Sequence, residues 1–165
     1  MPNKREPIVK LVKNYLQERD CHALLERSRW PDGVVCTNCG ANSISRFQKN
    51  RRAREIFECR ICKHQFSLTS QTIFHKSHLS LLKWFTAIWL ISISHNIRVE
   101  TLQANIRTTY KTAWRIRTRI TADLGKRTLD HAESSLISEI IKWVSPRMPI
   151  YLQKLVAQSI AEAEQ

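Results

Sequence analysis

Cys36-x2-Cys39 and Cys59-x2-Cys62, with nineteen residues between the pairs, constrain this chain more than any other feature of its sequence. Two thiolates on one tight turn can grip a single Zn²⁺, and two such turns complete a tetrahedral shell. The spacing lies in the window of a four-cysteine zinc site. Cys39 runs on into Gly40, which can take the positive φ of a chain turning around a metal; the second turn continues into Lys63 and lacks that help. Disulfides are the competing explanation for paired cysteines. They fit poorly, because five cysteines leave an odd thiol and the N-terminus shows no secretory signal. His64, two positions past Cys62, opens a Cys₃His alternative that four thiols make unnecessary. Cys21 has no partner at this spacing and sits among apolar positions, so it reads as a small buried hydrophobe. The expected site is one structural zinc on Cys36, Cys39, Cys59 and Cys62.

Around the cysteines lie short β-prone pieces: Ile44, Arg46-Phe47, Ile56-Phe57 and Gln65 to Leu68. Between them, Gln48 to Arg54 forms a strongly cationic hairpin tip containing Arg51, Arg52 and Arg54. Two knuckles, a small antiparallel sheet and a metal standing in for a large core make a zinc ribbon. A unit this small needs the metal, because its apolar residues alone do not offset chain entropy. Before it, residues 8–29 carry apolar positions at helical spacing, and Trp30-Pro31-Asp32-Gly33 signals a turn that stops the helix.

Charge points to a polyanion. The chain holds 27 Lys and Arg against 14 Asp and Glu, a formal +13. The excess is concentrated: residues 36–78 carry eight cations against two acids, and residues 107–127 seven against one. Two basic blocks separated by an apolar stretch suggest two contact surfaces for nucleic acid. The apolar stretch itself, Leu79 to Ile93, is fifteen residues with Lys83 inside it. That is short of the roughly eighteen needed to span a membrane, so a buried helix is expected. Reduced thiols and metal use suit a cytoplasmic, nucleoid-associated protein without a membrane partner.

From Ser80, a natural N-cap, the pattern is helical: Leu81–Ser92, then Val99–Ile106, then a third helix from Thr108 or Thr109 to Leu124 with Gly125 ending it. Thr109, Ala113, Ile116 and Ile120 form an inward stripe on the third helix. Lys111, Arg115 and Thr118 project from the opposite side, with Thr108 and Tyr110 at the leading end. Short helix, tight turn and basic helix make a helix-turn-helix, whose second helix enters the major groove by its N-terminal half. Lys111 and Arg115 would reach guanine edges or phosphates, and Arg117 and Arg119 the backbone. Trp114, between the two faces, reads as packing. His75, His78 and His95 lack ligand spacing and read as surface residues.

The expected fold is mainly α with a small β zinc ribbon. Its segments are an N-terminal helical stretch over 1–33, the ribbon over 34–72, the helix-turn-helix over 79–127 and a helical tail over 128–165. In the tail, Leu136, Ile137, Ile140, Ile141 and Val144 form an apolar stripe, Pro146 and Pro149 interrupt it, and Tyr151 to Glu164 is a second amphipathic piece. That tail offers a surface for a homodimer or for a partner helix.

The segments RWPDGVVCTNCG, FECRICKHQFSLTSQTIFHKSHLSLLKWFTAIWL and YKTAWRIRTRI, in this order, resemble the N-terminal DNA-binding region of zinc-ribbon transposases from bacterial insertion sequences. The likeness covers roughly residues 8–125. It implies recognition of element ends, with the four cysteines holding zinc and Tyr110 to Ile120 as the recognition helix. The chain departs from the pattern at Thr37 and Lys63, where proline and glycine are frequent, and at Arg107-Thr108, where Gly-Val is usual. Glycine eases a positive φ at that turn; arginine must adopt it at some energetic cost or the turn shifts. Members of the family continue into an RNase H-like domain whose carboxylates bind Mg²⁺. Residues 128–165 are too few for such a domain, and Asp123, Asp130, Glu133 and Glu139 lie too close together on helical sequence to be its metal ligands. The sequence is therefore expected to bind duplex DNA with no catalytic residues of its own. The alternatives are a transposase subunit whose catalytic domain comes from a separate chain, and a protein-interaction module.

Overall fold

The computed structural model describes residues 7–49, 54–125 and 136–163. They divide into two units. One holds the chain up to Cys21 together with everything from Leu79 onward; the other is His22–His78. The division falls inside one helix, so that helix is common to both.

Where the sequence suggests a continuous helical pattern over 8–29, the structure has two helices: α1, Ile8–Val12, and α2, Glu18–Arg29. Neither proline nor glycine separates them. The break is made by local hydrogen bonds that compete with helix continuation. The Asp20 carboxylate accepts from the Gln17 N–H at 3.2 Å, and the Gln17 amide donates to the Lys13 carbonyl at 2.8 Å. The far end of α2 stops at the anticipated turn, where Gly33, at φ 106°, donates to the Trp30 carbonyl.

In the His22–His78 unit, three antiparallel strands run in the order β1 (Ile44–Lys49), β2 (Arg54–Cys59) and β3 (Gln65–Ser67). The β1–β2 register pairs Ile44 with Cys59 and Lys49 with Arg54; β2–β3 pairs Phe57 with Phe66. Trp30, Phe57 and Phe66 form one aromatic cluster with ring centroids 5.4–6.0 Å apart. Arg29 covers the Trp30 ring at 4.4 Å and donates to the Ser67 and Leu68 carbonyls at the end of β3. Burial lowers the Arg29 pKa below its ordinary value. Arg46 on β1 is neutralised by Glu26 at 2.5 Å and Glu55 at 3.5 Å while lying over Phe57. One cation of the ribbon's basic block is thus committed to holding the sheet.

The other unit is helical: α1, the start of α2, α3 (Leu81–Ile93), α4 (Val99–Ile106), α5 (Tyr110–Gly125), α6 (Leu136–Val144) and α7 (Ile150–Ala163), with a 3₁₀ turn at Ser145–Arg147. Helix α3 is its axis. Nearly every side chain of α3 is buried, including Trp84, Phe85, Ile88 and Trp89, because α1, α4, α5, α6 and α7 all pack on it. Its N-terminus is held twice. Ser80 accepts from the Lys83 N–H, and the Glu18 carboxylate takes the Leu81 and Leu82 N–H groups at 2.7 and 2.9 Å. A negative group there also suits the helix dipole.

The tail's apolar stripe lies in this core. Ile137, Ile140, Val144, Met148, Leu152, Val156 and Ile160 are buried, and Trp143 meets Phe85 edge-on at 6.2 Å. Tyr151 hydrogen-bonds Tyr15 through their hydroxyls. A helix as apolar as α3 needs cover on most sides, and the tail supplies part of it.

Candidate metal centre and nucleic-acid interface

The two Cys-x2-Cys turns are built alike. In each, the N–H of the residue after the second cysteine donates to the carbonyl of the first: Gly40 to Cys36 and Lys63 to Cys59, both at 2.9 Å. Closing these turns requires a left-handed residue. Gly40 has φ 73° and Lys63 φ 59°, so lysine takes a conformation that favours glycine. Short N–H···S contacts complete the pattern. Asn38 N lies 3.4 Å from Cys36 Sγ, and Cys62 N lies 3.5 Å from Cys59 Sγ.

The four thiol sulfurs all lie within 4.8 Å of one another, and the cross-turn pairs Cys36–Cys62 and Cys39–Cys59 are both 3.6 Å apart. Sulfurs on a tetrahedron around zinc at about 2.3 Å are separated by about 3.8 Å. The arrangement therefore fits one Zn²⁺ and is far too wide for a disulfide, whose sulfurs sit at about 2.05 Å. The electrostatics favour a ligand set at Cys62, whose thiol is drawn down to about 6 by the His64 N–H and the Asn38 amide. Cys39 moves the other way, to about 12: the Ala41 N–H favours its thiolate, but hydrogen bonds from Cys62 and desolvation keep a proton there. Metal binding deprotonates such thiols. His64 stays outside the quartet, stacked on Phe66 at 6.0 Å. Cys21 is fully buried, and desolvation with the nearby Glu18 and Asp20 charges raises its thiol to about 12, as an inert core thiol requires. Among the described residues, the cysteine quartet is the one cluster of His, Cys, Asp and Glu side chains close enough to hold a metal.

The anticipated nucleic-acid contacts fall in two places. Arg51 and Arg52 lie outside the described residues; Arg54 opens β2 with its backbone opposite Lys49. The others are on or beside α5. Ala113, Ile116 and Ile120 are buried as the helical period demands. Thr109 is not part of that stripe: it is exposed, and its hydroxyl accepts from the Thr112 N–H at 3.3 Å, capping α5. Tyr110, Lys111, Arg115, Thr118 and Arg119 are exposed, and Thr108 is partly so. Their spacing places them on one face about half the helix wide.

Trp114 belongs to that face and not to the core. It is 51% exposed and Tyr110, one turn earlier, 50%. The signal was present in the sequence, since Trp114 is four residues from Tyr110 and so shares its side of the helix. Of the two outcomes expected for arginine at this turn, the structure has the first: Arg107 takes the left-handed conformation, φ 51°, ψ 70°. The Thr108 N–H closes the turn on the Gln103 carbonyl at 3.2 Å, the bond of a Schellman motif.

Residues 16–65 match the family model described as the transposase zinc-ribbon domain. A 104-residue stretch, 63% of the chain, is 34% identical to an uncharacterized protein in transposable element ISH50 of Halobacterium salinarum. The chain spans about a third of that relative, 35% of its length. No solved structure matches the chain. No helix among the described residues is long and apolar enough to cross a membrane. Residues 16–65 are thus similar to a transposase zinc-ribbon domain, and the four cysteines within them are grouped as a site for one structural zinc ion.

Proposed function

We propose that this chain is a zinc-dependent, sequence-specific binder of duplex DNA that recognises the ends of a transposable element. The observation that carries the reading is the exposed face of α5, where Tyr110, Lys111, Trp114, Arg115, Thr118 and Arg119 lie together over a helix anchored by Ala113, Ile116 and Ile120. With α4 and the three-residue turn before it, α5 has the layout of a helix-turn-helix recognition helix. Lys111 and Arg115 read base edges, Thr108 and Arg119 hold phosphates, and the aromatic pair meets apolar base surface such as thymine methyls. The zinc is a scaffold for the ribbon, whose Arg51, Arg52 and Arg54 form a second contact. A gel-shift against a duplex panel tests this: binding that weakens steeply with salt and is lost on zinc chelation supports it. Binding that survives chelation, or none at low salt, sinks it.

One observation favours a second arrangement. The aligned stretch is only 35% of its relative, so the chain acts equally well as the DNA-binding arm of a transposase whose catalytic residues lie in another segment or a separate chain. A homodimer through the tail would use what the core leaves exposed there, chiefly Ile150 and Tyr151. Sedimentation of the chain with and without duplex distinguishes monomer from dimer.

A further inference from the structure

At the turn that leads into α5, the fold gathers cations at a conformational and electrostatic cost. Arg107 is exposed and left-handed, a position where glycine would be less strained. Its carbonyl receives the Lys83 ammonium at 2.7 Å, so a second cation from α3 sits on the same turn. Lys13, exposed at the C-terminus of α1, is near enough for its charge to act on Lys83; α1, α3 and α4 are mutually packed. The Lys83 pKa is lowered by desolvation and by the charges of Arg107 and Lys13, which reports their proximity. Among the described residues none of the three has a carboxylate partner. Backbone strain kept at a charged side chain, beside like charges without a counter-ion, is the signature of a site completed by an anion.

We propose that Lys13, Lys83 and Arg107 form a binding site for a backbone phosphate of duplex DNA, which sets the register of α5 against the bases. The inference rests on the DNA-binding reading above and deepens it, since none of these residues belongs to the recognition face. A phosphate contact fixes position and carries no sequence information. Its loss therefore lowers affinity equally on all sequences and flattens the salt dependence, whereas loss of a base contact changes preference.

The test uses the full zinc-loaded chain with two fluorescein-labelled duplexes, one selected by the chain from a random pool and one scrambled. The variants are Arg107→Gly, which relieves the left-handed strain, and Lys83→Gln, which keeps a donor for the Arg107 carbonyl. The expected result is that each lowers the slope of log K against log salt by about 1 on both duplexes, while Arg107→Gly melts no lower than the parent. A binding loss without loss of stability is something a purely structural role does not produce. If both variants bind with unchanged affinity and slope while the parent binds DNA, the phosphate site is wrong and the α5 reading stands. If the parent binds neither duplex at low salt, both fall together.

Discussion

A structural zinc site stabilises a small domain by an apparent 10–16 kcal/mol, as much as or more than the whole stability of an ordinary domain. Each of Cys36, Cys39, Cys59 and Cys62 is therefore indispensable to the ribbon, and Cys21 is not. Replacing Cys59 with serine should abolish stoichiometric zinc binding and unfold the strands, seen as loss of near-ultraviolet dichroism from the Trp30–Phe57–Phe66 cluster. A ribbon that stays folded without metal would remove zinc from the account. Cys21 behaves oppositely. Its thiol, raised to about 12 by burial, stays protonated in the fold, while the unfolded thiol ionises above about 8.5. Stability linked to it is fully present below that pH and falls as pH climbs from about 9 towards 12. Cys21→Ala should flatten this alkaline loss in urea melts, and Cys21 should resist iodoacetamide until the chain unfolds.

The helices were legible because period and punctuation agree in them. Ser80 before an apolar run, Gly125 after a basic one, and Val99 to Ile106 between turn residues mark elements the structure reproduces to within a residue or two. What escaped was decided by side-chain hydrogen bonds that leave no mark on periodicity. The break after α1 depends on Gln17 and Asp20, and Thr109 caps α5 instead of lining it. Trp114 reads as packing by residue type, since a tryptophan is usually core, but its place on the helix puts it outside. The metal site was legible in full because ligand chemistry fixes spacing. The Lys13–Lys83–Arg107 cluster was not, since three distant positions meet only through packing. At the scale of α5, Trp114→Ser should leave the melting temperature within about 2–4 °C of the parent, because half of the side chain is already in water. It should weaken duplex binding about tenfold or more, measured by anisotropy, if the indole meets bases as the reading of this face requires. Unchanged binding would return Trp114 to a surface residue without function.

At the scale of the molecule, two different solutions to the same problem sit in one chain. The ribbon is too small to close a core and uses a metal; the helical unit encloses the mostly apolar α3 with five other helices. Helix α2 belongs to both, and its first residue, Glu18, caps α3. The +13 charge is what would draw the chain to a polyanion. The arrangement of α5 is what would make that binding selective. The most direct test is the affinity of the zinc-loaded double variant Lys111→Ala/Arg115→Ala for a duplex the parent selects from a random pool, with folding verified by far-ultraviolet dichroism. Two lost base contacts at about 1–3 kcal/mol each predict roughly a hundredfold loss or more on the selected duplex and a smaller loss on a scrambled one. A folded double variant that binds the selected duplex as tightly as the parent, with the same preference over the scrambled one, would contradict the assignment of α5 as the element that reads DNA.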